Sequence, residues 1–294
     1  MKTSALIAFA LVLAARPPAP ASAPNERAMP DLSRRLEQEA RRARGEVAVH
    51  VTHLPSGRWA ASNAVRAYPL YSVFKLTVAL AVLAEVEAGR LALDRKVEVT
   101  TRDVTPEQVA RNGRWGRLPV THTVQQLLDL SIVESDNPST DRLLDLIGGP
   151  AAVTRRLAAL DLPGIEVKFK CREQSRAEGR LNRGTAAAMN RLLVGLRTGA
   201  LLKAPQQALL LDMMTRSQTG IRRLRGNLPP GTVVADKTGT GPDVTNDVGF
   251  ISLPGGQHLA ISVMIAGSTL SLDEQSALIA TLARLAYDTF ASGK

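Results

Sequence analysis

The run from Ser72 to Glu87 constrains the fold more than any other stretch of this chain. Val73, Phe74, Leu76, Val78, Ala79, Leu80, Val82 and Leu83 fill it. A helix carrying them has no polar face, so it must be buried on most sides and sit at the centre of a domain. Gly89 stands where a left-handed residue stops helices. The 294 residues are 45% apolar, enough for a large core. The one cysteine, Cys171, excludes an intrachain disulfide, so that core must hold the fold unaided.

Around the central helix the hydropathy pattern changes twice. Glu46 to His53 alternates, with Val47, Val49 and Val51 on one side. Gly57 to Ala61 returns after the Pro55-Ser56-Gly57 turn, completing a hairpin. Helical patterns follow over Thr123 to Val133, Thr140 to Ile147, Pro150 to Ala159, Thr185 to Leu196 and Pro205 to Met214. Strands resume at Thr232 to Asp236, Asp247 to Leu253 and His258 to Ala266, the last two joined at Pro254-Gly255-Gly256, and Asp273 to Phe290 closes as a helix. This order predicts an α+β fold: an antiparallel sheet made from both chain ends, about 24–70 and 220–294, with an all-helical lobe, about 71–219, inserted between them. A catalytic cleft is expected where the lobes meet.

The first residues read as an export signal. Lys2 precedes an apolar stretch from Ala5 to Ala15, too short to span a bilayer, and Ala21-Ser22-Ala23 offers a cleavage site. Pro24 makes the cut point awkward, and Pro17, Pro18 and Pro20 prevent a helix there. Residues 1–23 are therefore expected to be lost, leaving a secreted, periplasmic protein. No cysteine near the cut suggests a lipid anchor. The formal charge of +10 falls to +8 when Lys2 and Arg16 leave with that segment. Basic residues are scattered and aromatics make up 3%, so no nucleic-acid stacking surface is expected.

Three short motifs carry chemistry. Ser72 and Lys75 lie three residues apart at the start of the buried helix, on one face. A lysine whose pKa is depressed by burial can take the proton of such a hydroxyl. Ser135-Asp136-Asn137 follows a helical run and precedes Pro138; its hydroxyl can relay a proton, and its Asn amide can hold Lys75 and a substrate carbonyl. Lys237-Thr238-Gly239-Thr240 ends a β run, adding a cation, a hydroxyl and a glycine against which substrate can lie. No metal or cofactor is expected: His50 and His53, three apart on an alternating strand, face opposite sides.

The three motifs, in this order on helix start, loop and strand, are the set shared by class A β-lactamases and penicillin-binding proteins. The chain resembles class A β-lactamases from about Leu36 to Phe290, also at Gly148-Gly149-Pro150, Leu228-Pro229-Pro230-Gly231 and Thr245-Asn246-Asp247. Ser72-Val73-Phe74-Lys75 and Thr245-Asn246-Asp247 are most similar to the extended-spectrum, cephalosporin-hydrolysing branch. The resemblance implies a monomer acting on small β-lactam molecules. It makes Ser72 the nucleophile, Lys75 and Ser135 the proton relay, and Asn137, Lys237, Thr238 and Gly239 substrate contacts. The N–H groups of Ser72 and Thr240 become the oxyanion hole.

In that family a glutamate on an Ω-shaped loop activates the water that frees the acyl group, and two candidates exist here. Glu178 fits a local E-x-x-L-N pattern ending at Asn182 but lies only 7 positions before Thr185. Glu173, 25 positions after Gly148 and 12 before Thr185, fits the spacing better and is favoured over Glu178. For the substrate carboxylate, Arg223 stands where certain members carry a substitute arginine, with Thr245 assisting; Arg222 and Arg225 compete for the same reading. Without a working loop carboxylate the chain would be a penicillin-binding D-alanyl-D-alanine peptidase or a weak lactamase-like protein. The lone Cys171 lacks the partner found in carbapenem-hydrolysing members, so carbapenem hydrolysis is not expected.

Overall fold

A computed structural model describes residues 27–111, 113–175 and 177–292. The expected signal segment, 1–23, lies outside the described residues. In chain order the elements are α1 (Pro30–Ala40), β1 (Glu46–His53), β2 (Trp59–Ser62), β3 (Ala67–Pro69), α2 (Lys75–Glu87), β4 (Lys96–Val99), α3 (Pro106–Arg111), β5 (Val120–Thr123), α4 (Val124–Val133), α5 (Asn137–Ile147) and α6 (Pro150–Ala159). They continue with β6 (Ile165–Glu166), β7 (Arg183–Thr185), α7 (Ala186–Arg197), α8 (Ala204–Thr215), β8 (Val234–Gly241), β9 (Val244–Ser252), β10 (His258–Ala266) and α9 (Leu272–Ala291). One antiparallel five-stranded sheet, ordered β2-β1-β10-β9-β8, joins both ends of the chain. β1 pairs along its whole length with β10, from Glu46 opposite Ala266 to His53 opposite Leu259. The α+β architecture expected from the sequence is the one observed.

Alternation along β1 sends residues to two cores. Val47, Val49 and Val51 pack with Leu32 and Leu36 of α1 and Leu278, Ile279 and Leu282 of α9. Ala48 faces the other core, where α2, α4, α7 and α8 gather. His50 and His53 indeed face opposite sides, stacked on Trp59 and Phe290 respectively. All ten residues from Lys75 to Ala84 are buried. Each large aliphatic side chain there contributes about 1.5–3 kcal/mol by leaving water. Helix α7 packs on the sheet itself: Asn190 donates to the carbonyls of His50 and Ala260 and accepts from Thr52.

Several boundaries differ from the sequence reading. The central helix begins as a 3-10 turn over Tyr71–Phe74 and becomes α-helical only at Lys75. The strand expected over Thr232–Asp236 runs as Val234–Gly241, so Lys237 to Thr240 lie inside it, and β9 starts at Val244, placing Thr245 and Asn246 on the strand. The α5 helix starts at Asn137, not Thr140, because Asp136 caps it through the N–H of Ser139. Helix α1 lies outside the elements predicted from sequence, although Leu32, Leu36 and Ala40 recur at helical spacing. Gly148 and Gly149, both at positive φ, turn the chain between α5 and α6.

Candidate active site

The Ser72 turn is built under constraint from three sides. Asn246 of β9 donates to the carbonyls of Pro69 and Leu70, at 2.8 and 3.3 Å. The N–H of Leu70 donates to the carbonyl of Asn182 at 2.9 Å. Strand β8 passes so close that a Cβ on Gly239 would stand 2.3 Å from the Leu70 carbonyl oxygen. Gly239 is thus required by the approach of the nucleophile turn to the strand, a reason the sequence does not reveal. Tyr71, immediately before Ser72, has φ +44°, and Ser135 has φ +60°. Such backbone costs on the order of 1–3 kcal/mol per residue and persists where surrounding contacts enforce it.

Two lysines converge on Ser135. Lys75, fully buried, donates to the Ser135 carbonyl, to Asn137 Oδ1 at 2.6 Å and to Ser135 Oγ at 3.4 Å. Lys237, equally buried on β8, donates to the same Ser135 Oγ at 2.9 Å and to the Thr238 carbonyl at 3.1 Å. Burial pushes the Lys75 amine below the usual lysine range, opposed by negative charge at Asp136 and Asp141. Burial, reinforced by the neighbouring Lys75 cation, brings Lys237 down to about 7. An amine lowered as far as that of Lys237 can exchange protons with a hydroxyl near neutral pH.

These groups border a cleft of about 630 Å³ lined by Ser72, Ser135, Asn137, Arg223, Thr238 and Thr240, together with Tyr71, Phe74, Cys171, Gln174, Thr219 and Gly220. Arg223 is buried and donates to Thr240 Oγ1 at 2.7 Å and to the Asn246 carbonyl at 2.9 Å. Its rivals lie elsewhere: Arg222 pairs with Asp273 at the surface, and Arg225 pairs with Asp236.

The β-lactamase enzyme family matches residues 31–290. The chain is 34% identical over 234 residues to β-lactamase VEB-1 of Pseudomonas aeruginosa, covering 76% of this chain and 78% of that one. It is 35% identical over 239 residues to the extended-spectrum β-lactamase PER-1 of the same organism, covering 76% of each. The crystal structure of a β-lactamase from Chitinophaga pinensis superposes with a TM-score of 0.82 at 30% identity, over 88% of this chain and 99% of that one. The chain belongs to the β-lactamase enzyme family.

Within this β-lactamase fold, the structure brings together Ser72, Lys75, Ser135, Asn137, Arg223, Lys237, Thr238 and Thr240. Thr245 lies opposite Thr240 on the neighbouring strand but is buried and does not line the cleft. Neither loop glutamate lines it either. Glu173 is exposed, and its Oε2 accepts the N–H of Lys170 at 2.9 Å. Glu178 is exposed and paired with Arg180 at 2.5 Å. On this loop the side chains that line the cleft are Cys171 and Gln174, which flank Glu173. The Cys171 N–H donates to Asp141 Oδ1 at 2.6 Å while the Arg172 N–H donates to Asp141 Oδ2 at 3.0 Å.

Thr219, whose Oγ1 lies 2.7 Å from that of Thr238, is a further cleft residue that no sequence motif marks. Asp141 is likewise marked by no motif, and Asn182, which the sequence offers as a holder of the water beside Glu178 or as the end of the loop beside Glu173, is an anchor of the loop. Asn182 is fully buried, accepts from Lys168 and Phe169 N–H and donates to the Phe169 carbonyl, all within 3.0 Å. The one signal for Asp141 is an aspartate on the apolar side of a helix, since Thr140, Leu143 and Leu144 are buried with it.

Proposed function

We propose that this protein hydrolyses β-lactam antibiotics through an ester on Ser72. The observation that carries the reading is the position of Ser135 Oγ, within hydrogen-bond reach of both Lys75 and Lys237 on the wall of a cleft that exposes Ser72. Ser72 Oγ attacks the lactam carbonyl as Lys75 takes its proton. The C–N bond breaks, and Ser135 delivers a proton to the ring nitrogen, resupplied by the lysines on either side. The N–H groups of Ser72 and Thr240 hold the developing oxyanion. Lys237, Thr238, Thr240 and Arg223 surround the substrate carboxylate, and Asn137 meets its amide carbonyl. Water then hydrolyses the ester.

The relatedness to PER-1, named an extended-spectrum enzyme, supports cephalosporins among the substrates. Export to the periplasm rests on residues 1–23 and action as a monomer on the resemblance. Among the described residues no helix is long and apolar enough to cross a membrane. Ser72→Ala is expected to reduce turnover of a chromogenic cephalosporin to background, with the circular dichroism spectrum and melting temperature unchanged. Retained turnover in that variant would remove Ser72 from the mechanism.

A further inference from the structure

Opening the lactam and freeing the enzyme make different demands. In the first step the serine proton passes to a buried amine beside it. In the second, a water molecule adds to the ester carbonyl, the Ser72 Oγ–C bond breaks, and the water's proton ends on Ser72. That water is a poor nucleophile unless a base takes its proton as it attacks.

The carboxylates around the cleft are held elsewhere. Asp136 accepts from Ser139 N–H at 2.8 Å, Ser139 Oγ at 2.6 Å and Trp115 Nε1 at 3.1 Å. Glu134 is paired with Arg114 at 2.8 Å. Asp141 has both oxygens occupied by the loop N–H groups of Cys171 and Arg172. Glu173 folds back on Lys170, and Glu178 lies outside with Arg180. The loop side chains that do line the cleft are Cys171 and Gln174. Gln174 Oε1 is buried there without a hydrogen-bond partner, and an amide is no base. Burial pushes the Cys171 thiol well above the ordinary thiol range, so it is neutral and no base either.

We propose that the ester on Ser72 accumulates during turnover, because Cys171 and Gln174 offer the hydrolytic water no proton acceptor. This rests on the acylation chemistry proposed above. It assigns the slow step to deacylation and explains it by the side chains on one loop. A positioned general base typically contributes about 10²–10⁴-fold. Supplying one should therefore shorten the life of the ester by tenfold or more.

The test follows the intact mass of the mature protein during turnover of benzylpenicillin, then the decay of the adduct after excess substrate is removed. The adduct is expected on most molecules in the steady state. Cys171→Glu and the nearly isosteric Gln174→Glu each place a carboxylate on the inward side of the loop, and at least one is expected to speed decay about tenfold or more without slowing the burst. Glu173→Gln is expected to leave decay within about twofold. Sustained turnover with no adduct, or trapping of the adduct by Glu173→Gln, overturns the proposal. If the adduct accumulates but neither carboxylate variant shortens its life, the stated cause is wrong. Absence of both adduct and turnover overturns the Ser72 chemistry beneath it.

Discussion

One side of the cleft is made from β8, the Ser72 turn and the start of α5, with its chemistry on regular elements locked by neighbouring backbone. The loop side, within 167–182, has among its described residues one 3-10 turn, Cys171–Glu173, and an isolated bridge between Ser175 and Arg180, and is held by two buried side chains, Asp141 and Asn182. On the first side a motif three or four residues long fixes geometry, because helical and extended backbones convert spacing into direction. On the loop side direction depends on which backbone N–H meets a carboxylate 30 residues earlier in the chain. Groups proposed to form the ester lie on the first side, and those proposed to face its hydrolytic water lie on the other.

The largest effect that would sharpen this contrast is expected from Gly239→Ala. The added methyl would meet the Leu70 carbonyl at 2.3 Å and the Val73 N–H group at 3.2 Å, forcing the strand and the nucleophile turn apart. A shift of about 1 Å between reacting groups costs on the order of 10²-fold. The burst of ester formation should slow by about a hundredfold or more, while the ester, once formed, decays at its usual rate. Rapid-quench mass measurement reads both. A normal burst would mean that the nucleophile side tolerates displacement and is not the rigid partner.

How far the sequence could be read follows the same division. Ser72, Lys75, Asn137 and Lys237 are legible because each sits on or at the start of a short regular element, whereas Ser135, in the loop between α4 and α5, is legible only through the Ser135-Asp136-Asn137 motif; β1, α6 and β10 have the bounds read from their periodicity. Thr245 shares a sheet face with Thr240, its partner across the ladder, but β8 is the edge strand and β9 lies inside the sheet, so Thr245 is buried and does not line the cleft. Glu173 and Glu178 are told apart in sequence by their spacing along a loop, and spacing does not tell which residue turns inward when a buried aspartate, not a period, sets the turn. Arg223 is one of three arginines by sequence, and its place on the cleft wall, paired with Thr240, separates it from Arg222 and Arg225.

A smaller effect, on the loop alone, is expected from Asn182→Ala. Lys168 and Phe169 N–H and the Phe169 carbonyl lose their partner in a buried setting. Each unmet group costs about 1–3 kcal/mol, so the loop should open well before the domain unfolds. Amide hydrogen exchange should quicken over 168–182, with the burst of ester formation within about threefold of the parent. If exchange quickens equally in β8 and the Ser72 turn, the two sides are one cooperative unit and the contrast fails.

The smallest effect concerns charge on the rigid side. Lys237 titrates at about 7 because burial and the Lys75 cation both disfavour its protonated form. It is therefore cationic below that pH and loses its charge as pH rises through it. The loss weakens attraction for an anionic substrate, but Arg223 stays charged, so binding declines without disappearing. KM should rise about three- to tenfold between about pH 6 and about pH 8.5, a span that brackets this titration. Lys237→Arg, whose guanidinium keeps its proton throughout, should flatten the profile even if its geometry raises KM at every pH. Decay of the ester should show no matching inflection, since Lys237 serves binding and proton delivery on one side of the cleft while hydrolysis waits on the other. A shared inflection in KM and decay would show that the two sides titrate together and that Lys237 also governs the hydrolytic water.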